Sequence, residues 1–243
     1  MAHLYIDEEL EDAKVGDTVS LTNAEARHAV TVSRLKVGET VAIGNGAGLV
    51  VSGPITTAEH TELTIEVANA ERTARSTPAV FLAQALAKAD RDELAVQVAT
   101  ELGIDGVIPW SAARSISRWQ GPKVAKGRDR WAAIVREASK QSLRTWLPDV
   151  LDLVTTKQLA AFAATTRMLV LEPTATETLS ELEVDGRDIV LVVGPEGGVA
   201  DHELELLTAA GASTVRLGNE VLRTSTAGPA ALAVLNVKLG RWG

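Results

Sequence analysis

The chain has 243 residues, of which 46% are AVILMFWYC and 23% are charged, a globular balance that excludes a disordered or fibrous protein. The absence of cysteine excludes disulfides and Cys-ligated metal sites and agrees with a cytoplasmic address. A formal charge of −8 argues, taken whole, against a polyanionic partner.

The first 70 residues read as short β segments: Leu4–Ile6, Thr18–Leu21, Thr40–Ile43, Gly48–Val51 and Glu62–Val67. Turn signals separate them at Val15-Gly16-Asp17, Val37-Gly38-Glu39, Gly44-Asn45-Gly46-Ala47-Gly48 and Gly53-Pro54. One helical piece, Asn23–Val32, interrupts them, with Asn23 as N-cap. Strands at this spacing predict a small β-barrel over residues 1–72. The polar run from Asn69 to Pro78 is the expected linker.

From residue 78 to 243 strands and helices alternate. Ala79–Leu86 reads as a strand, Arg91–Leu102 as a helix and Gly106–Pro109 as a strand. A long helix fits Gly127–Ser142, and another Lys157–Ala164. Then follow the strand Met168–Leu171, the buried strand Ile189–Val193, the helix Asp201–Ala210, the strand Thr214–Leu217 and a last helix Ser225–Leu239. Continuous apolar strands between helices predict a parallel sheet covered on both faces, hence an α/β domain. With so few aromatics (five Trp, two Phe, one Tyr), the core falls to Ala, Val and Leu. No segment reaches the roughly 18 apolar residues of a membrane span. The acidic start, Asp7 to Asp12, resembles no signal peptide.

Charge is unevenly spread. Between Arg114 and Arg144 stand nine basic and two acidic side chains, a net of +7, which leaves the remainder at −15. Charge alone leaves a solvated helix face and a nucleic-acid contact equally open.

Several familiar chemistries are missing. There is no G-x-x-x-x-G-K-[ST], no G-x-S-x-G and no H-E-x-x-H, so a metal site is not expected. Gly44 to Gly48 lies between strands and opens no helix, so it reads as a hairpin turn rather than a dinucleotide loop. Three loops remain, each after a buried strand, where open α/β sheets place ligands. They are Leu171-Glu172-Pro173, Gly194-Pro195-Glu196-Gly197-Gly198, and Leu217-Gly218-Asn219-Glu220-Val221-Leu222-Arg223-Thr224-Ser225-Thr226-Ala227. Any one alone is ordinarily a tight strand-to-helix turn. All three in this order are a stronger signal.

These loops, with His28…Val32-Ser33-Arg34-Leu35-Lys36-Val37-Gly38, Gln84 to Arg91, Ala99-Thr100-Glu101-Leu102-Gly103, Arg114-Ser115, Arg130-Trp131 and Glu137-Ala138…Gln141-Ser142…Arg144, carry a resemblance. Over nearly its whole length the chain resembles the bacterial small-subunit ribosomal RNA (uracil-N3)-methyltransferases of the SPOUT superfamily. The resemblance implies a PUA-like β-barrel that binds RNA (1–72), then a SPOUT methyltransferase domain (78–243) with a C-terminal trefoil knot. It implies a homodimer in the cytoplasm and S-adenosyl-L-methionine as cofactor. It implies methylation of N3 of one uridine in 16S ribosomal RNA, free or in the assembled small subunit. The cofactor residues it implies are Leu171, Glu172, Pro173, Gly194, Pro195, Glu196, Gly197, Gly198, Leu217, Gly218, Val221, Leu222, Arg223, Thr224, Thr226 and Ala227. The chain departs from the family pattern at several places. Ala87 and Ala89 stand where Pro and Gly are usual, Leu143 where Gly is common and Ser225 where Glu often stands; near the first strand only His3 is basic.

N3 of uracil is an imide nitrogen, a poor nucleophile until its proton leaves. Arg223 is the candidate to stabilise the resulting anion, and Glu196 is a catalytic candidate whose role as base, cofactor contact or structural support stays open. Gly197 is expected to approach the cofactor too closely for a side chain. Arg34, Lys88, Arg91, Arg114, Arg118, Lys140 and Arg144 are the RNA candidates, with Trp119 and Trp146 as stacking surfaces. The alternatives are a SPOUT enzyme acting on a ribose 2′-OH or a guanine, and a catalytically inactive RNA-binding protein. A nucleotide-dependent oxidoreductase is opposed by the missing dinucleotide fingerprint.

Overall fold

A computed structural model describes residues 3–242. The chain divides into two compact units, one of residues 1–75 with 139–147, the other of 76–138 with 148–243. The division differs from a simple cut near residue 75, because Ser139–Leu147 groups with the N-terminal unit.

The first unit holds β1 (Leu4–Ile6), β2 (Thr18–Thr22), α1 (Asn23–Arg27), β3 (Thr40–Gly44), β4 (Leu49–Ala58), β5 (Glu62–Glu66) and β6 (Asn69–Arg72). Its sheet runs β1-β3-β4-β5-β2, with β6 on β4. Among the described residues no ladder joins β1 to β2, the two ends of this order. The expected turn at Gly53-Pro54 is instead the middle of β4. That ten-residue strand pairs with β3 and β6 along its first part and with β5 along its second. Gly53 marks the close approach: a Cβ there would lie 1.8 Å from the Glu66 carbonyl oxygen. The hairpin turn read at Gly44 to Gly48 does join antiparallel β3 and β4. The Asn45 side chain accepts the Ala47 and Leu49 amides at 2.8 and 3.0 Å and closes it.

Asn69–Arg72, expected as linker, is an edge strand whose polar side chains face water, so no alternation betrays it. Thr22, not Asn23, precedes α1 as N-cap; Asn23 itself sits at φ +55°. The expected helix 23–32 widens after Arg27 into a π-helical turn, His28–Val32, closed by the Ser33 amide on the His28 carbonyl.

The second unit holds β7 (Val80–Ala85), α2 (Arg91–Glu101), β8 (Gly106–Ser111), α3 (Pro122–Gln141), β9 (Asp149–Val150), β10 (Val154–Thr155) and α4 (Thr156–Phe162). It continues with β11 (Arg167–Leu171), β12 (Ile189–Val193), α5 (Asp201–Ala209), β13 (Ser213–Val215) and α6 (Thr224–Lys238). α3 begins five residues before the expected Gly127, and its last residues belong to the first unit. The sheet is parallel, in the order β10-β8-β7-β12-β11-β13, with β9 on β8. Its central strands are apolar on both sides because both sides are covered. Val80, Leu82, Leu191 and Val193 pack with Val96, Trp131 and Leu232, while Ala83, Ala85, Val190 and Val192 pack with Leu159 and Leu207. Half-buried Arg241 ties residues after α6 to the start of this sheet. Its guanidinium meets the Asp105 carboxylate at 2.7 Å and the Pro78 carbonyl at 2.6 Å. Among the described residues no helix is long and apolar enough to cross a membrane.

Two of the departures from the family pattern have a backbone correlate. Ala89 and Leu143 stand at φ +55° and +57°, in the left-handed region where only glycine is unstrained. Ala89 is exposed, so removing its methyl sacrifices no packing. Ala89→Gly is expected to stabilise the protein by about 1 kcal/mol, raising the melting temperature by roughly 2–4 °C in calorimetry.

Candidate functional site

The C-terminal ends of β11, β12 and β13 converge on a cavity of about 370 Å³. Its apolar wall comes from strand ends and loop residues, Leu171, Val193, Val199, Val215, Leu217 and Leu222 among them. The three loops singled out in the sequence supply most of the rest. Leu171, Glu172, Pro173, Gly194, Pro195, Glu196, Gly198, Leu217, Gly218, Val221, Leu222, Arg223, Thr224 and Ala227 all line it. Gly197 and Thr226 do not.

Loop 217–223 owes its use to what it leaves unbonded. No backbone amide from Gly218 to Arg223 has a hydrogen-bond partner among the described residues. Gly218 and Glu220 to Arg223 line the cavity, so their unbonded amides are available to a ligand. The loop ends where Arg223 takes an extended conformation (φ −65°, ψ 151°) and its carbonyl accepts the Thr226 and Ala227 amides. The Thr224 hydroxyl donates to the Gly194 carbonyl at 2.8 Å and accepts from Gln84 Nε2 at 2.9 Å. One side chain thus fixes loop 217–223 against loop 194–198.

The loop 194–198 turns on Gly198 (φ +72°), whose amide donates to the Pro195 carbonyl at 2.9 Å. The sequence argument had Gly197 facing the ligand. Instead a Cβ on Gly197 would meet the Arg114 side chain, 3.3 Å away. Arg114 lies over this loop and donates to the carbonyls of Gly197 (3.2 Å) and Val199 (3.1 Å), with Asp201 at 3.5 Å. Behind it, buried Glu203 accepts from the Ala113 amide, the Thr156 hydroxyl and the Ala200 amide. These bonds brace the loop from below.

Glu196 lines the cavity, and its Oε1 accepts from the Lys88 amide (3.1 Å) and from Arg91 Nη1 (3.2 Å). Oε2 makes no hydrogen bond among the described residues. Arg91 also lines the cavity. The sequence reading gave Arg91 to RNA, and it passed over Arg216 and Glu220, which line the cavity too. Glu220 lay inside a quoted loop. Arg216 was placed within the expected strand Thr214–Leu217; β13 ends at Val215, and the Arg216 backbone instead bridges to Thr178, its amide on the Glu177 carbonyl and its carbonyl on the Leu179 amide, both at 2.9 Å. The Arg216 Nε is buried with no hydrogen-bond partner among the described residues.

Most of the basic candidates have structural work. Arg118 donates to the carbonyls of Ala112 (3.0 Å) and Ala113 (2.8 Å). Lys140 is buried in the first unit, 3.2 Å from Glu25 Oε2 and over the Tyr5 ring, so it cannot reach a phosphate. Arg144 is half-buried and its amide donates to the Ser139 carbonyl. Arg128 and Arg130 pair with Asp152 and Glu93, and that Glu93 pairing raises the Arg130 pKa. Arg34 and Lys88 are exposed. The two tryptophans are also held: Trp119 edge-to-face against Trp131, and Trp146 with its Nε1 donating to the Thr73 carbonyl at 3.0 Å. Four of the nine positive charges between residues 114 and 144, on Arg114, Arg128, Arg130 and Lys140, thus meet a carboxylate within the protein.

Comparison with known proteins agrees with this architecture. Residues 75–236 match the RNA methyltransferase domain family, and residues 21–68 match the RNA methyltransferase PUA domain. The chain is 39% identical to the ribosomal RNA small subunit methyltransferase E of Mycobacterium bovis, over 100% of this chain and 94% of that one. It is 29% identical to the Bacillus subtilis protein of the same name, covering 97% and 96%. A crystal structure of the Neisseria gonorrhoeae ribosomal RNA small subunit methyltransferase E bound to S-adenosyl methionine superposes with a TM-score of 0.88, at 28% identity and 98% coverage of both chains.

Arg114 is therefore expected to act on the loop rather than on a phosphate. Arg114→Ala should raise the dissociation constant of the cavity's ligand several-fold in calorimetry, through loss of two charge-assisted bonds worth about 1.5–3 kcal/mol each at most. An unchanged affinity would free Arg114 for an RNA role.

Proposed function

The chain belongs to the RNA methyltransferase family, and we propose that it transfers the methyl group of S-adenosyl-L-methionine to N3 of one uridine in 16S ribosomal RNA. The observation that carries this reading is the cavity at the ends of β11, β12 and β13, built from the three loops that the family resemblance singles out. Its residues fit the cofactor. The apolar wall suits an adenine ring, the unbonded amides of Gly218 to Arg223 suit its polar edges, and the orphaned Arg216 Nε suits a carboxylate. When bound, the cofactor supplies an electrophilic methyl carried on a sulfonium.

The protein's own part is to orient the base and handle one proton. N3 lies on the pairing edge of uracil, so the target enters unpaired. The Arg223 side chain makes no hydrogen bond among the described residues and lines the cavity, which leaves its guanidinium for a uracil carbonyl oxygen. There it favours the charge that grows as N3 loses its proton. Glu196 is the proton acceptor we assign. Arg91 and the Lys88 amide hold Oε1, which leaves Oε2 toward the cavity.

The finer architecture belongs to the same proposal. The N-terminal sheet is read as a PUA-like barrel, supported by the PUA-domain match and by the long shared strand β4. A C-terminal trefoil knot is supported by the strand order, in which β12 lies inside β11, and by the return of α6 to the centre of the sheet at Thr224. A homodimer is part of the same reading, and the adjacent exposed apolar pair Val221 and Leu222 on the cavity loop is its candidate contact.

Deletion of the gene should leave 16S ribosomal RNA without 3-methyluridine by mass mapping of its nucleosides, and the intact gene should restore it. Arg223→Lys keeps the charge but loses the planar fork, so single-turnover methylation should fall roughly tenfold or more while cofactor affinity changes little. Loss explained by dimer dissociation in sedimentation would make Arg223 an interface residue instead.

A further inference from the structure

The second unit contains another cavity, of about 360 Å³, that the chemistry above leaves without a task. One wall is the chain from Ala87 to Asp90, just past the end of β7, where Ala89 and Asp90 both stand at positive φ. The facing wall is Trp119 with Arg130 and Trp131 of α3.

The aromatic wall is built, not incidental. The Trp119 indole stands edge-to-face on Trp131, 5.4 Å between centroids at 78°. It packs against α3 at residue 127 because that residue is glycine, since a Cβ there would come within 2.4 Å of the ring. A half-buried indole is thereby held with one surface toward the cavity. The lining also holds the carboxylates of Asp90, Asp92 and Glu93, beside Lys88 and Arg130. The Asp90 side chain makes no hydrogen bond among the described residues and sits within electrostatic reach of Arg130. Asp92 is 5% exposed, with its oxygens on the amides of Ala87 (3.2 Å) and Glu93 (2.9 Å). The two cavities adjoin: Lys88 lines this one, and its amide is hydrogen-bonded to Glu196, which lines the other.

We propose that this second cavity takes the base of a nucleotide next to the target uridine, stacked on Trp119 with an amino-bearing edge toward Asp90. The inference rests on the methyltransferase reading. A fixed aromatic face accepts any base, because every base has a π-face. The Asp90 carboxylate then discriminates. Adenine, guanine and cytosine each carry an amino group that donates to a carboxylate, whereas uracil presents two carbonyl oxygens around a single N–H. The site therefore reads sequence beside the target and holds the strand so that the uridine alone enters the first cavity.

The test uses the full chain loaded with S-adenosylhomocysteine and two fluorescein-labelled heptaribonucleotides. One has a central uridine flanked by adenosines; the other is all uridine. The wild type should prefer the first by about tenfold in anisotropy titrations. Asp90→Asn keeps a side chain tolerant of left-handed backbone and should reduce that preference at least about fivefold. Trp119→Leu should weaken binding of the adenosine-flanked RNA about tenfold. Calorimetry of S-adenosylmethionine should give the wild-type affinity in both variants, which also reports that they fold. Equal affinity of the wild type for the two RNAs, or an unchanged preference in Asp90→Asn, overturns the base site. A wild type that binds no S-adenosylmethionine would strike the methyltransferase reading instead, since that cavity is titrated separately.

Discussion

One hydroxyl holds the functional end of the α/β unit together. Thr224, 6% exposed, donates to the carbonyl of Gly194 and accepts from Gln84, whose amide also reaches the Ala85 carbonyl. These bonds join the end of β7, the end of β12 and the start of α6. A net hydrogen bond is worth about 1 kcal/mol, but a buried partner left unsatisfied costs about 1–3 kcal/mol. Thr224 has such a partner on each side. Four residues on, Gly228 lets α6 lie directly on the sheet, where a Cβ would come within 2.8 Å of Leu82. Helix, sheet and both cavity loops are therefore positioned by short polar contacts backed by a glycine.

Much of this was legible in the residues. The alternation of apolar strands and helices after Pro78 reports a sheet covered on both faces, and Ile189–Val193 is buried at every position. The three ligand loops could be found because each follows such a strand and carries residues that free the backbone. What escaped reading has a physical cause in each case. β6 is an exposed polar edge, so its pattern matches that of a linker. β4 runs through Gly53-Pro54 because tertiary contact with Glu66 needs a glycine within a strand, and a glycine beside a proline otherwise signals a turn. Gly197 and Gly198 differ only in which one bears the positive φ and which one faces Arg114, a matter of backbone geometry that composition does not encode.

The basic segment teaches a sharper lesson. Nine positive side chains between residues 114 and 144 look like a nucleic-acid footprint. Their partners are scattered through the sequence: Glu25 for Lys140, Glu93 for Arg130, Asp152 for Arg128, and the carbonyls of Gly197 and Val199 for Arg114. A local excess of charge records where one half of a set of pairs was written. It does not tell whether the other half lies in the same molecule. The acidic remainder of the chain is in part that other half.

The discontinuous make-up of the first unit bears on how the protein is made. Residues 139–147 complete it: Leu147 donates to the Gly46 carbonyl, Gly48 to the Thr145 carbonyl, and Trp146 packs where Gly48 leaves room. During synthesis the N-terminal strands emerge first, yet their last partners follow more than sixty residues later. The ribosome must therefore release all of α3 and the six residues after it before the leading unit can close. Domains usually fold in order of emergence. Here the leading unit waits for the middle of the chain, and a fragment cut at residue 75 would be an unfinished fold rather than an independent module.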